Sequence, residues 1–212
     1  MILRNKTKFL DIFIGLILSI IIILISFNIV LNFKYIYFYD IKNLSIEKNS
    51  YLNTEQIKEV YTYLINYISS NSSNFKLPYL PSSKEAIIHF IEVKYIFSCI
   101  KKFITISIIL LLPIIIMKFK NKNIIFLKYT GMFLLLIPLI LALPLIINFD
   151  KSFNMFHKIL FRNDYWLFDP RKDPIINLLP QEFFFHCSLI ILIIIFLSSM
   201  ICLYIYNLHN RK

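Results

Sequence analysis

The 212-residue chain is 58% hydrophobic and 17% aromatic, with a mean hydropathy of +0.69 and only two glycines. This composition excludes an ordinary soluble domain and places the chain in the membrane class. The formal charge of +11 invites a nucleic-acid reading, which its distribution along the chain removes.

Four apolar runs organise the sequence, over residues 9–33, 97–117, 124–148 and 184–206. A helix crossing the hydrocarbon core needs about 20 apolar residues at about 1.5 Å each. The first, third and fourth runs meet that length. The second, densest over Phe103–Met117, reaches it by starting near Phe97 and letting Lys101 and Lys102 snorkel outward. Pro113, Pro138 and Pro144 fall inside runs, where neighbouring helices accommodate a kink. The first run is too long for the core of a cleaved signal peptide and is expected to stay as an anchor.

An even number of spans puts both termini on one side. That side holds Arg4, Lys6, Lys8, Lys118, Lys120, Lys122, Lys128, Arg211 and Lys212, with Asp11 as its one acid. By the positive-inside rule the termini are cytoplasmic and the segments 34–96 and 149–183 are extracytoplasmic. The charge is therefore mostly topology, and no nucleic-acid partner is expected. The expected fold is an all-α integral membrane protein forming one membrane domain, with four transmembrane helices and an extracytoplasmic cap of short helices and irregular structure.

The cap opens with "KYIYFYD", whose period-two aromatics read as a short strand or an interface-hugging segment. From Thr54, Ile57, Val60, Tyr61, Leu64, Ile65 and Ile68 recur at helical spacing and predict an amphipathic helix that ends at "SSNSSN". After "LPYLP", Ser82 and Glu85 fit a capping box that opens a helix continuous with the second span. His89 lies about two turns into it, with Glu85 and Glu92 on the same face. A carboxylate beside an imidazole fixes its tautomer and favours its charged form. A polar residue on the wet side of an interfacial helix explains His89 equally well. H-x-x-E is also half of a metal site, but no second cluster has ligand spacing, so no metal is expected.

In the second cap segment Phe153, Phe156, His157, Leu160 and Phe161 share one helical stripe, which predicts a helix lying along the membrane surface. His157 then sits at the edge of an aromatic face, where burial tunes its pKa. Next comes "NDYWLFDPRKDPII", a polar, proline-bounded stretch around the only tryptophan, Trp166. Tyr165 and Trp166 suit the bilayer interface. Its carboxylates Asp164, Asp169 and Asp173 are site candidates, because charge held at that boundary is costly unless solvated or paired. His186, at the head of the fourth span, reads as a helix-end polar residue or as an aid to a site, and His209 as solvated. Cys99, Cys187 and Cys202 read as small packing residues, with a Cys99–Cys187 disulfide left open.

Taken together, "LPSSKEAIIHFIEVK" and "FHKILFRNDYWLFDPRKDPIINLLPQEFF" resemble the lipoprotein intramolecular transacylase family of four-span bacterial membrane proteins. The shared pattern is a histidine, an acidic-Val-Lys triplet ending at Lys94, a distant F-H, W-x-x-D-P, and L-P before paired phenylalanines. This chain has Glu92 where the family usually has Asp, and Gln181 where it usually has Glu. The resemblance implies an acyltransferase of the bacterial cytoplasmic membrane, with its site at the extracytoplasmic interface and no cofactor. Its partners would be diacylglyceryl-modified lipoproteins and membrane lipid. It would move the sn-2 acyl chain onto the α-amine of the N-terminal cysteine, giving a lyso-form lipoprotein, with His89 and His157 as the catalytic pair.

Glu92, Lys94, Arg162, Asn163, Asp164, Trp166, Asp169 and Asp173 are then candidates for orienting groups or substrate ligands. Phe153, Phe156, Phe161, Tyr165 and Phe168 are candidates for an aromatic pocket. A lipoprotein or phospholipid deacylase on the same surface is the main alternative reading. A non-catalytic membrane partner or transporter subunit is disfavoured, since ionisable residues cluster at the span ends rather than along a pathway.

Overall fold

The computed structural model describes residues 2–211, with side chains described except at 2–7, 141 and 145. Among the cations of the orientation argument, Lys212 and the side chains of Arg4 and Lys6 thus lie outside the described residues. Seven α-helices follow in chain order: α1 (Ile2–Asn32), α2 (Tyr35–Asn43), α3 (Thr54–Ser69), α4 (Lys84–Lys120), α5 (Ile125–Ile147), α6 (Phe149–Leu160) and α7 (Gln181–Asn210). Short 3-10 turns occupy Ile46–Asn49 and Pro174–Leu178. No strand occurs among the described residues.

Among the described residues, four segments are long and apolar enough to cross a membrane: Lys8–Asn32, Lys84–Lys120, Ile125–Pro144 and Gln181–Asn210. Ile109, Leu110, Leu139, Ile140 and Ile193 stand exposed along them. Such large apolar side chains belong in lipid, and the protein is a multi-pass membrane protein. Both α4 and α5 continue through their internal prolines.

By contacts the chain divides into two compact units. The first comprises Met1–Ile29, Lys101–Pro144 and Leu189–Lys212. Without a hydrophobic drive between helices in lipid, small residues that permit close approach supply the packing. Both glycines of the chain serve here. A β-carbon on Gly15 would come 2.7 Å from Tyr129 Cβ, and one on Gly131 would come 2.6 Å from Leu203 Cγ. The hydroxyl of Ser199 donates to the Gly131 carbonyl at 2.7 Å, tying α7 to α5. Lys118 donates to Asp11 at 2.6 Å, with their side chains only 8% and 3% exposed. An ionisable group this deeply buried requires its partner.

The second unit comprises Val30–Ile100 and Leu145–Ser188. It has a core of its own, built from Tyr37, Ile41, Ile57, Val60, Tyr61, Leu64, Phe90, Ile175, Leu178 and Phe183 among others. Tyr37 and Tyr61 stack with centroids 3.8 Å apart, and the Tyr37 hydroxyl donates to the Leu178 carbonyl at 2.7 Å. Helix α3 starts at Thr54 as expected. Its cap is a reciprocal pair: Asn53 accepts from the Gln56 amide at 2.9 Å, and Gln56 accepts from the Asn53 amide at 3.0 Å.

Two local expectations need correction, and one open pairing is settled. Of the two readings of "KYIYFYD", the strand is overturned: Tyr35–Asn43 is helix α2, with Tyr37, Asp40 and Ile41 at i, i+3 and i+4 all buried. Helix α4 is capped by Ser83 and not Ser82. The Ser83 hydroxyl accepts from the Ala86 amide at 3.1 Å, while Glu85 points into the exposed surface. No Cys99–Cys187 disulfide forms, since both cysteines are free.

The Lys118–Asp11 pair yields a direct test. Changing Lys118→Met leaves a buried, unpaired carboxylate and is expected to cost about 3–5 kcal/mol, read as a lower Tm in detergent. Adding Asp11→Leu is expected to recover most of that loss. A single variant as stable as wild type would remove the pair from the account of stability.

Candidate active site

Helix α4 carries His89 and, one turn later, Glu92; α6 carries His157. All belong to the second unit. The two imidazole rings lie 6.1 Å apart, inclined at 36°. Aromatic side chains wall them in. Phe161 meets His89 edge-on at 4.6 Å and Phe168 does so at 5.5 Å. Phe153 lies 4.2 Å and Phe156 5.5 Å from the His157 ring, and the Trp166 indole stacks on it at 4.8 Å.

The polar geometry is unusual for a buried place. Nδ1 of His157 lies 2.8 Å from the Phe153 carbonyl. A carbonyl only accepts, so Nδ1 carries the proton, and in the neutral ring Nε2 keeps its lone pair. Burial lowers the pKa of His157 from the ordinary 6.5, against the smaller opposing effect of the bond to Phe153. Asn163 donates to Glu92 at 2.8 Å and accepts from the Tyr165 amide at 3.0 Å, which shapes the turn before Trp166. His89 Nδ1, the second oxygen of Glu92 and Trp166 Nε1 are all buried without a hydrogen-bond partner. Unpaired buried groups of this kind are costly and collect at functional sites.

The structure thus brings together His89, His157, Glu92, Asn163 and Trp166 within a wall of Phe153, Phe156, Phe161 and Phe168. Other candidates lie elsewhere. Lys94 is bound to the Ser72 carbonyl and lies over the Tyr67 ring at 4.2 Å. Arg162, Asp164 and Tyr165 are exposed. Asp169 forms a two-pronged pair with Arg171, and its own carboxyl is held below the usual range chiefly by that side-chain bond. Asp173 is buried and accepts from the Ser83 amide at 2.6 Å and the Ser83 hydroxyl at 2.8 Å, which fixes the start of α4. Neither Asp169 nor Asp173 orients a histidine, and neither Glu85 nor Glu92 bonds to His89.

Sequence reasoning missed Asp40 and left the role of His186 open. Asp40 of α2 is buried and binds His186, which the sequence left as either a helix-end residue or an aid to a site. A lone acid inside an aromatic run was the available signal, because a buried Asp needs a partner. No group of residues able to hold a metal ion occurs among the described residues.

The family profile for the lipoprotein intramolecular transacylase Lit matches residues 12–184. Among solved structures, the membrane integral lipoprotein intramolecular transacylase Lit from Bacillus cereus is 36% identical, with a TM-score of 0.90 over 97% of this chain and 98% of that one. The same Bacillus cereus protein with a histidine-to-arginine substitution matches at 34% identity and a TM-score of 0.88, over 99% of this chain and 95% of that one. With a histidine-to-alanine substitution it matches at 35% and 0.84, over 99% and 97%. A search of curated proteins finds no match.

The burial of His157 has consequences that can be measured. The contribution of His157 to stability is complete above the ordinary value of 6.5, is lost progressively as the pH drops below it, and stops changing once His157 protonates within the fold. Trp166, the sole tryptophan, reports that event, since an imidazolium stacked on the indole quenches it. Acid quenching of Trp166 emission is expected to have its midpoint below 6.5 and to vanish in His157→Asn. A midpoint above that value would contradict the burial argument.

Proposed function

The chain belongs to the lipoprotein intramolecular transacylase family, and on that premise we propose that the His89–His157 pair transfers the sn-2 acyl chain of a diacylglyceryl-lipoprotein onto the α-amine of its N-terminal cysteine. The protein is a membrane enzyme, a transacylase acting on lipoproteins. The chain moved, the product and the residues responsible are our reading.

The observation that carries it is the pair of imidazoles 6.1 Å apart inside an aromatic wall. The nucleophile is the substrate's own amine, so the site needs no serine or cysteine. An α-amine has a pKa of about 8 and must lose a proton as it attacks the ester carbonyl. His157 Nε2 takes that proton, since Nδ1 is already committed to Phe153. The C–N bond forms, and the tetrahedral oxyanion receives a hydrogen bond from Trp166 Nε1. Collapse breaks the bond between the carbonyl carbon and the sn-2 oxygen. The departing alkoxide takes a proton from the histidine pair, which returns to neutral. The product carries one O-acyl and one N-acyl chain.

The free oxygen of Glu92 is suited to hold the amine beside His157. Closure of Phe153, Phe156, Phe161 and Phe168 around the reacting atoms keeps water from competing. Holding amine and ester together supplies about 7–11 kcal/mol of the barrier reduction. The charge distribution supports cytoplasmic termini and an extracytoplasmic site.

The test is mass spectrometry of lipoprotein N-terminal peptides from cells carrying the wild type, His89→Ala or His157→Ala. A mass-neutral move of one acyl chain from glyceryl to α-amine is expected with the wild type. Either substitution is expected to reduce it by about 10²-fold or more. Peptides that keep a free amine would defeat the proposal, and loss of one acyl mass would turn the reading to a deacylase. Purified protein is expected to show the same pattern, which separates loss of chemistry from loss of expression.

A further inference from the structure

A histidine–carboxylate pair lies in the same unit as the site but outside it. Asp40 of α2 is only 1% exposed, and its two carboxylate oxygens lie 2.8 and 3.0 Å from His186 Nδ1. A further, long contact joins it to the Asn43 amide at 3.5 Å. A carboxylate buried to this degree depends on its donor. His186 therefore cannot rotate away without stranding Asp40, and the first two turns of α7 are locked onto α2.

Those turns also hold α6. Phe183 points into the core against Tyr37 at 5.2 Å and Tyr61 at 5.8 Å. On the other side, Phe184 lies 5.4 Å from Phe153, and Phe185 lies 5.4 Å from Phe149. Helix α6 has no fully buried residue of its own, so its seat depends on such ring contacts. Phe153 is the residue whose ring lies against His157 and whose carbonyl accepts from Nδ1.

We propose that Asp40 and His186 are positioning residues for acyl transfer. Their bond sets the first turns of α7, Phe184 and Phe185 set α6, and Phe153 sets the ring of His157 opposite His89. The pair touches neither substrate nor the reacting atoms. This inference rests on the reading that His157 takes part in the chemistry.

The experiment uses full-length enzyme in detergent micelles with a synthetic diacylglyceryl-cysteine lipopeptide. Each variant is followed by kcat, KM and Trp166 emission with acrylamide quenching. His186→Phe keeps an aromatic ring but removes the donor. It is expected to lower kcat about tenfold or more at a KM within about twofold, as small misplacements of a catalytic group do. Trp166 is expected to become more accessible to quencher as its stack on His157 loosens. His186→Asn places an amide nitrogen where Nδ1 stood and is expected to restore both readouts.

Phe184→Leu keeps the Asp40–His186 bond but cuts the contact with Phe153, and is expected to reproduce the kcat loss. It carries the test if His186→Phe fails to fold. Wild-type kcat in both His186→Phe and Phe184→Leu would overturn the proposal. So would a kcat loss with Trp166 emission unchanged, or no recovery in His186→Asn. His157→Ala serves as the separate control. If it remains active, the catalytic reading fails; if it is dead while His186→Phe and Phe184→Leu are both normal, only the positioning inference fails.

Discussion

A polar atom buried without a partner costs about 1–3 kcal/mol, and His89, Glu92 and Trp166 each carry one. This cost constrains everything around the site. Left alone, each side chain would rotate towards water or towards the others. They stay because their neighbours leave no room, with Phe161 and Phe168 against His89 and the turn at Asn163 holding Trp166. The second unit therefore needs a core as firm as that of a soluble domain. The tyrosine stack of Tyr37 on Tyr61 and the apolar face of α3 supply it.

That demand explains the polar stretch around Trp166. Its carboxylates divide the labour of holding a loop against a helix. Asp173 ties the loop to the first turn of α4, two turns before His89. Asp169 closes its own turn through Arg171 and the backbone amides of Lys172 and Asp173. A purely apolar connection could not have satisfied the exposed amides at the start of α4. Asp169 and Asp173 thus brace the loop that carries Trp166.

The spans were legible because hydropathy over about 20 residues is a strong signal. α3 was legible because its apolar positions keep helical spacing over four turns. α2 was misread for a physical reason: Tyr, Ile and Phe favour strands locally, and only burial of Tyr37, Asp40 and Ile41 on one side reveals the helix. The cap of α4 was off by one residue because Ser82 and Ser83 are chemically alike, and the choice is made by Asp173, ninety residues away. His89 and His157 stood out through their flanking residues. That they face each other, and that Asp40 meets His186, are facts of tertiary packing that no local pattern encodes.

Both glycines of the chain sit where two helices touch, so none remains for turns. The left-handed backbone positions fall instead to Ser45, Tyr79 and Lys122, with φ of 51°, 65° and 53°. Side chains disfavour that region, and for a bulky one such as tyrosine the strain is real. At two of these places, distant groups hold the bend. The Tyr79 hydroxyl donates to Glu59 and its carbonyl accepts from Tyr51, while the Lys122 carbonyl is held by His209. These bends are therefore conditional: they cannot nucleate the fold around them, and they become stable only after the helices they join have found their partners.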